Sequence, residues 1–288
     1  MNIQWYPGHM AKAKREIQKN LKLVDVVMEL RDARIPESSK NPQIDEIIQH
    51  KPKIVILNKV DLADPKVTDQ WIQHFHKMGQ QVVLINSVDG KGIKDLLNAV
   101  NDTLQDKIKR QKSKGLKNIV IRCMILGIPN VGKSTLINKI SGKAGAKTGN
   151  LPGVTKSNQW IKMNDQLLLL DTPGILWPKF DDPFTGLKLA WTSAIKHTIY
   201  DRETAALRLL DYMMEHYKDR LEERFQLSIE EGTESIDLYE AIAKKRGFIF
   251  KGGEIDYARA GETILDEVHK GKLGRLSYEK PQDFQEEQ

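Results

Sequence analysis

Residues 119–134 read Ile-Val-Ile-Arg-Cys-Met-Ile-Leu-Gly-Ile-Pro-Asn-Val-Gly-Lys-Ser. The first eight form a β-branched, nearly continuous apolar run, the pattern of a buried strand over Ile119–Leu126. The last eight, Gly127 to Ser134, fit G-x-x-x-x-G-K-S and predict a loop that opens a helix near Lys133. Glycines in such a loop let backbone N–H groups wrap a phosphate, and the helix N-terminus adds a favourable dipole. On this reading Asn130, Val131, Gly132 and Thr135 line the phosphates, Lys133 neutralises the β- and γ-phosphates, and the Ser134 hydroxyl ligates Mg²⁺.

Outward from this stretch, similar short runs recur at Val24–Leu30, Ile54–Leu57, Val82–Ile85 and Leu167–Leu170. Segments of helical periodicity lie between most of them, for example Trp71, Ile72, Phe75 and Met78. Apolar strands alternating with amphipathic helices predict an α/β fold, a doubly wound and mostly parallel sheet covered on both faces. Ligands of such sheets bind beyond the carboxyl ends of the strands. Past about Asp181 strong strand runs cease, and 201–225, 236–246 and 254–270 read as helices. The expected domains are a sheet domain over 1–180, a helical domain over 181–282 and an acidic tail over 283–288.

Each strand is followed by a polar loop. Asp171-Thr172-Pro173-Gly174 ends an apolar strand, where the Asp171 carboxylate can hold Mg²⁺ through its water shell and the Gly174 N–H can reach a γ-phosphate. Pro152-Gly153-Val154-Thr155 offers the Thr155 hydroxyl to the same ion and phosphate. Asn58-Lys59-Val60-Asp61 bears on the base. The Asp61 carboxylate can accept from N1–H and the 2-amine of guanine, whereas adenine presents an acceptor and no amine and leaves polar groups unpaired. The Lys59 stem can cover the base plane, Asn58 can tie loops together, and Asn86-Ser87 follows the next strand. Together these loops point to GTP.

Composition bounds the alternatives. The chain has 288 residues, 40% hydrophobic and 29% charged, which excludes wholesale disorder. Its apolar runs are far shorter than the roughly twenty residues of a spanning helix, and the N-terminus lacks a leader-like apolar stretch. One cysteine, Cys123, makes neither an internal disulfide nor a cysteine-based zinc site. The expectation is a reduced, cytoplasmic, monomeric protein without a membrane partner. The net charge is +6. Six basic and no acidic residues fall in 107–118, and Lys12, Lys14, Arg15, Lys19 and Lys22 face only Glu16 near the N-terminus. Both segments suit electrostatic contact with nucleic acid.

The motif set resembles the translation-factor-like P-loop GTPases, but in another order. There the phosphate loop comes first and N-K-x-D late; here Asn58–Asp61 and Asn86-Ser87 precede Gly127, which is a circular permutation, with 107–118 as the bridge between the old termini. With Trp5-Tyr6-Pro7-Gly8-His9-Met10 and Asp32-Ala33-Arg34-Ile35-Pro36, the chain resembles the bacterial ribosome biogenesis GTPase A family among permuted GTPases. That resemblance implies GTP hydrolysis, binding of GTP and GDP, action on the immature large ribosomal subunit at a late maturation step with hydrolysis driving release, and a C-terminal domain that contacts ribosomal RNA. A nucleotide-gated RNA-binding scaffold and a GTPase of transfer RNA modification stand as alternatives. Asn130 resembles the Asn of potassium-dependent GTPases, which implies K⁺ beside Mg²⁺. Ile175 stands where Ras-like GTPases carry a water-orienting Gln, so intrinsic turnover should be slow, ~10⁻⁴ to 10⁻² s⁻¹. His9, expected in a rigid turn before a basic helix, is the candidate for that role, with Thr155 as a second.

Overall fold

The computed structural model describes residues 7–116, 119–142, 159–164, 166–171 and 182–284, with the backbone alone at 7–13, 159, 171 and 183. The chain divides into two compact units. A sheet unit holds the described residues up to Asp171 together with 277–284, and a helical unit runs from Asp182 to Leu276.

In the sheet unit the order is α1 (Pro7–Leu21), β1 (Val26–Asp32), α2 (Ile44–Ile48), β2 (Lys53–Asn58), α3 (Pro65–Lys77), β3 (Gln81–Ile85), α4 (Ile93–Thr103), α5 (Gln105–Ser113), β4 (Ile121–Gly127), α6 (Lys133–Ser141), β5 (Gln159–Asn164) and β6 (Leu167–Asp171). Among the described residues these strands form one sheet of order β3-β2-β1-β4-β6-β5. Every pairing is parallel except that of β5 with β6. The doubly wound, mostly parallel α/β architecture is as expected, with the antiparallel edge strand β5 as an addition.

On one face, Ile17 and Leu21 of α1 and Ile44, Ile47 and Ile48 of α2 pack with Val27, Met124, Leu126 and Leu170. Val67, Trp71 and Phe75 of α3 pack on Val55 and Leu57. Each such side chain contributes about 1.5–3 kcal/mol when fully buried. Asp64 caps α3 by accepting from Lys66 N at 2.8 Å, and Pro65 occupies the first turn, where a missing N–H costs nothing. Met78, read as part of the apolar face, lies just past the helix end and is exposed.

The strand β1 starts later than the apolar run suggested and continues through Arg31 and Asp32. Buried charges can occupy this central strand because they are partnered. Arg31 Nη2 meets Glu29 Oε2 at 2.9 Å, Lys53 Nζ lies 3.3 Å from the same oxygen, and the Arg31 guanidinium sits 5.4 Å above the Phe75 ring. The basic segment drawn as a bridge is helical over its first half, as α5. No α5 side chain is buried, and Lys107 pairs with Asp25.

The helical unit contains α7 (Pro183–Trp191), α8 (Arg202–His216), α9 (Lys218–Phe225), α10 (Ser235–Lys245) and α11 (Tyr257–His269). The helix α8 is central and packs on the other four. The single helix expected over 201–225 is two, broken at Tyr217, whose φ of −144° is not helical. Gly261 permits a close crossing, because a Cβ there would fall 2.4 Å from the Tyr239 hydroxyl and 3.3 Å from Arg202 O.

The helical unit ends at Leu276, not at residue 282. Ser277 to Phe284 return to the sheet unit. Tyr278 N donates to Arg34 O at 2.9 Å, Trp71 Nε1 donates to Glu279 O at 3.1 Å, and the buried Glu279 carboxylate accepts from Glu37 N at 2.8 Å and from Ser38 N at 3.1 Å. Asp283, assigned to the tail, lies in a 3₁₀ turn over Pro281–Phe284, where its carboxylate accepts from Lys280 N at 2.7 Å. Residues 285–288 lie outside the described residues.

Candidate functional site

Parallel pairing brings the carboxyl ends of β1, β2, β3, β4 and β6 to one edge of the sheet. From Gly127 at the end of β4 the chain turns through Pro129, Asn130, Val131 and Gly132 into α6. Asn130 and Gly132 both take left-handed backbone, with φ of +57° and +99°. Asn tolerates this conformation through its short polar side chain. Gly132 has a further reason to lack a side chain, since a Cβ would lie 2.3 Å from Asn58 Nδ2. It is also the N-cap of α6, so no capping side chain competes with an anion for the first-turn N–H groups. Lys133 is buried beside this loop, and Ser134 and Thr135 are half-buried in the same turn.

The loop after β2 is bonded directly to the loop after β4. The amide of buried Asn58 donates from Nδ2 to Val131 O at 2.8 Å, while its Oδ1 accepts from Ser87 N at 3.1 Å and Ser87 Oγ at 2.7 Å. One side chain thus joins three strand ends. Lys59 has a φ of +61°, an uncommon conformation for a side chain of its size. Its Nζ donates to Asn130 O at 2.9 Å. Asp61, two residues on, is exposed. Asn86 folds its own loop, its Oδ1 accepting from Val88 N at 2.9 Å and its carbonyl from Gly90 N at 2.8 Å.

Beneath these loops lies a charged group that the motif reading did not assign to the site. The Asp32 carboxylate, at the end of β1, receives Arg34 Nη2 at 2.8 Å and lies 3.0 Å from Lys59 Nζ. Burial alone would raise the Asp32 carboxyl. The charges of Arg34 and Lys59 and the hydrogen bonds from Arg34 outweigh it, and the carboxyl sits well below the usual carboxylate range. Burial lowers the Lys59 ammonium, and Asp32 opposes that shift. The signal in the sequence was the cluster Asp32-Ala33-Arg34 at a strand end; its partner Lys59 became visible only when β1 and β2 were paired in register, Asp32 beside Asn58.

The structure therefore gathers Asn58, Lys59, Ser87, Asn130 and Val131 into one bonded group, with Gly132 close against Asn58 and with Asp61, Asn86 and Lys133–Thr135 in the adjoining loops and first turn. Asp171 ends β6, and its side chain lies outside what is described. Thr155 and Gly174 lie outside the described residues altogether. His9 falls in the first turn of α1 with its side chain likewise outside, so residues 7–9 are helical and not the rigid turn expected. Pro7 suits that place, since its fixed φ is already helical. No helix among the described residues is long and apolar enough to cross a membrane.

A phosphate loop between strand and helix on a mostly parallel sheet, bonded to an N-K-x-D loop that precedes it in the chain, defines a P-loop GTPase of circularly permuted order. Residues 122–237 match the family of 50S ribosome-binding GTPases. The chain is similar to Ribosome biogenesis GTPase A of Bacillus cereus, at 50% identity over 287 residues, 100% of this chain and 97% of the relative. Its counterpart from Thermotoga maritima is 36% identical over 98% of this chain and 96% of that one. Among solved structures, GDP-bound TM YlqF has a TM-score of 0.68 at 30% identity, covering 93% of this chain and 100% of that chain. GNP-bound YlqF from T. maritima has a TM-score of 0.65 at 30% identity, with 94% and 98% covered. The chain belongs to the ribosome biogenesis GTPase A family, and its activity is GTP hydrolysis in ribosome biogenesis.

Proposed function

We propose that the protein, as a cytoplasmic monomer, binds the immature large ribosomal subunit in its GTP state, promotes a late maturation step, and leaves when hydrolysis, accelerated by the subunit, has occurred. Chain order carries this reading. Asp171 opens D-x-x-G at the end of β6, and only residues 172–181 separate it from Asp182, the cap of the first helix of the helical unit. Segments after D-x-x-G respond to the γ-phosphate in GTPase switches. Here such a response is continuous in the chain with the helical unit, which we assign to ribosomal RNA together with the basic helices α1 and α5. The family of 50S ribosome-binding GTPases matched by residues 122–237 supports the same partner.

In the nucleotide site, Asp61 reads guanine, Asn58, Lys59, Asn86 and Ser87 fix the base loops, and Asn130–Thr135 and Gly174 bind the phosphates. An uncapped helix start followed by the Ser134 hydroxyl is a fitting donor set for a nucleotide carrying Mg²⁺, with Asp171 and Thr155 as its other ligands. The ion, when bound, neutralises charge developing on the phosphates. Asn130 is assigned to K⁺. His9 is assigned to orienting the attacking water, with Thr155 as the second candidate: His9→Ala should lower subunit-stimulated kcat at least about tenfold while GTP affinity and subunit association stay near wild type. The test of the whole reading is sedimentation with large subunits in GDP and in a non-hydrolysable GTP analogue. Association in the analogue and release in GDP is expected; equal association in both would overturn it.

A further inference from the structure

Among the described residues Asp32 is the one buried carboxylate that touches the nucleotide loops, and its contacts show what it does. Its Oδ1 accepts from Arg34 N at 3.0 Å and from Arg34 Nε at 3.0 Å; its Oδ2 accepts from Arg34 Nη2 at 2.8 Å and faces Lys59 Nζ at 3.0 Å. A carboxylate has about four lone-pair positions, so this one has none left for a ligand or an ion. Whatever Asp32 contributes to nucleotide binding must pass through the groups it holds.

Of those groups, Lys59 is the one that leads to the nucleotide loops. An ammonium has three N–H bonds. One faces Asp32, one goes to Asn130 O at 2.9 Å, and the third has no acceptor among the described residues. Lysine side chains are flexible point charges, and fixing one at the moment of binding weakens binding. Here an anion behind the ammonium fixes it in advance.

The anion is itself fixed. Arg34 grips it with its fork and its backbone N–H, and the chain around Arg34 is held from two sides. Tyr278 N donates to Arg34 O at 2.9 Å, and Arg31 Nη1 donates to Pro36 O at 3.3 Å. The return segment thereby supports the platform on which Asp32 stands.

We propose that Asp32 is a positioning residue for guanine-nucleotide binding: it holds the Lys59 ammonium on the phosphate-loop carbonyl of Asn130, so that the base-reading and phosphate-binding loops are set in register before nucleotide arrives. The proposal rests on the reading of Asn58–Asp61 as the guanine loop. A structural carboxylate at a strand end would stabilise the fold whatever stood at position 59, and that difference provides the test.

The experiment is a double-mutant cycle on the full chain, with Kd for GDP measured in wild type, Asp32→Asn, Lys59→Met and the double variant. Asp32→Asn should weaken GDP binding about tenfold or more in the wild-type background and less than about threefold in the Lys59→Met background. In GTP hydrolysis KM should rise far more than kcat falls. Arg34→Lys keeps the positive charge and loses the fork; it is the gentler variant should Asp32→Asn fold poorly. It should weaken binding about three- to tenfold, again only when Lys59 is present. Equal losses in both backgrounds, or no loss with either variant, would overturn the proposal. Asp61→Asn measured alongside separates the two levels. A shift from GDP toward XDP with an additive Asp32 cycle sinks the positioning role alone, whereas an unchanged base preference sinks the guanine-loop reading and the positioning role with it.

Discussion

Replacing Asn58 by Ala removes three hydrogen bonds at once, those to Val131 O, Ser87 N and Ser87 Oγ. At about 0.5–1.5 kcal/mol each the net loss is about 1.5–4.5 kcal/mol. The upper half of that range is favoured because Asn58, Ser87 and Val131 are all buried, so water does not readily replace the amide. The three bonds join loops from β2, β3 and β4, and their loss should also free the base loops from the phosphate loop. Urea unfolding of the nucleotide-free protein, followed through the sheet-unit transition, should show a destabilisation of about 3–4.5 kcal/mol. Titration calorimetry should show GDP affinity reduced about tenfold or more, since each tenfold corresponds to about 1.4 kcal/mol. Asn58→Asp provides the contrast. It keeps both acceptor bonds from Ser87 but sets a carboxylate oxygen against Val131 O, so nucleotide affinity should fall with a smaller loss of local order around Ser87. A destabilisation below about 0.5 kcal/mol in Asn58→Ala with unchanged affinity would refute the reasoning.

Gly132→Ala should be nearly as damaging, because its Cβ would lie 2.3 Å from Asn58 Nδ2 at a φ of +99°; a cost of about 2–4 kcal/mol and a marked loss of GDP binding by calorimetry are expected. The folded Asp32 carboxyl lies below its unfolded value, so its stabilisation is complete above that value and is lost as pH falls through it toward the folded one. The stability gap between wild type and Asp32→Asn should accordingly be flat from about pH 7 to about pH 5 and shrink below about pH 4, as read from urea midpoints. With K⁺ assigned to Asn130, GTP hydrolysis should run faster in K⁺ than in Na⁺ at matched ionic strength; equal rates would remove that assignment.

The parallel sheet was legible because β2, β3, β4 and β6 are short apolar runs, and the phosphate loop because G-x-x-x-x-G-K-S needs its strand and helix close by in sequence. Asp61 and Asn58 were legible for the same reason, as a motif at a strand end. The contacts that organise the site were not. Lys59 meets Asp32 only through strand pairing, and Glu279 meets Ser38 across 241 residues, with nothing local to announce it. The edge strand β5 was missed because Gln159–Asn164 is half polar, as suits an edge with one partner. The helix α7 had a readable start, since Asp182 accepts from Phe184 N at 2.9 Å and Pro183 follows it, but its nine residues are too few for a clear period.

The central claim is that guanine read by Asp61 controls attachment to the large subunit, and one measurement joins both halves. Asp61→Asn presents an amide donor where the carboxylate accepted, which suits the oxygen at position 2 of xanthine. Sedimentation of this variant with large subunits should be driven by a non-hydrolysable XTP analogue and not by the corresponding GTP analogue, the reverse of wild type. Attachment of the variant that still follows the GTP analogue, or that ignores nucleotide altogether, would contradict the account.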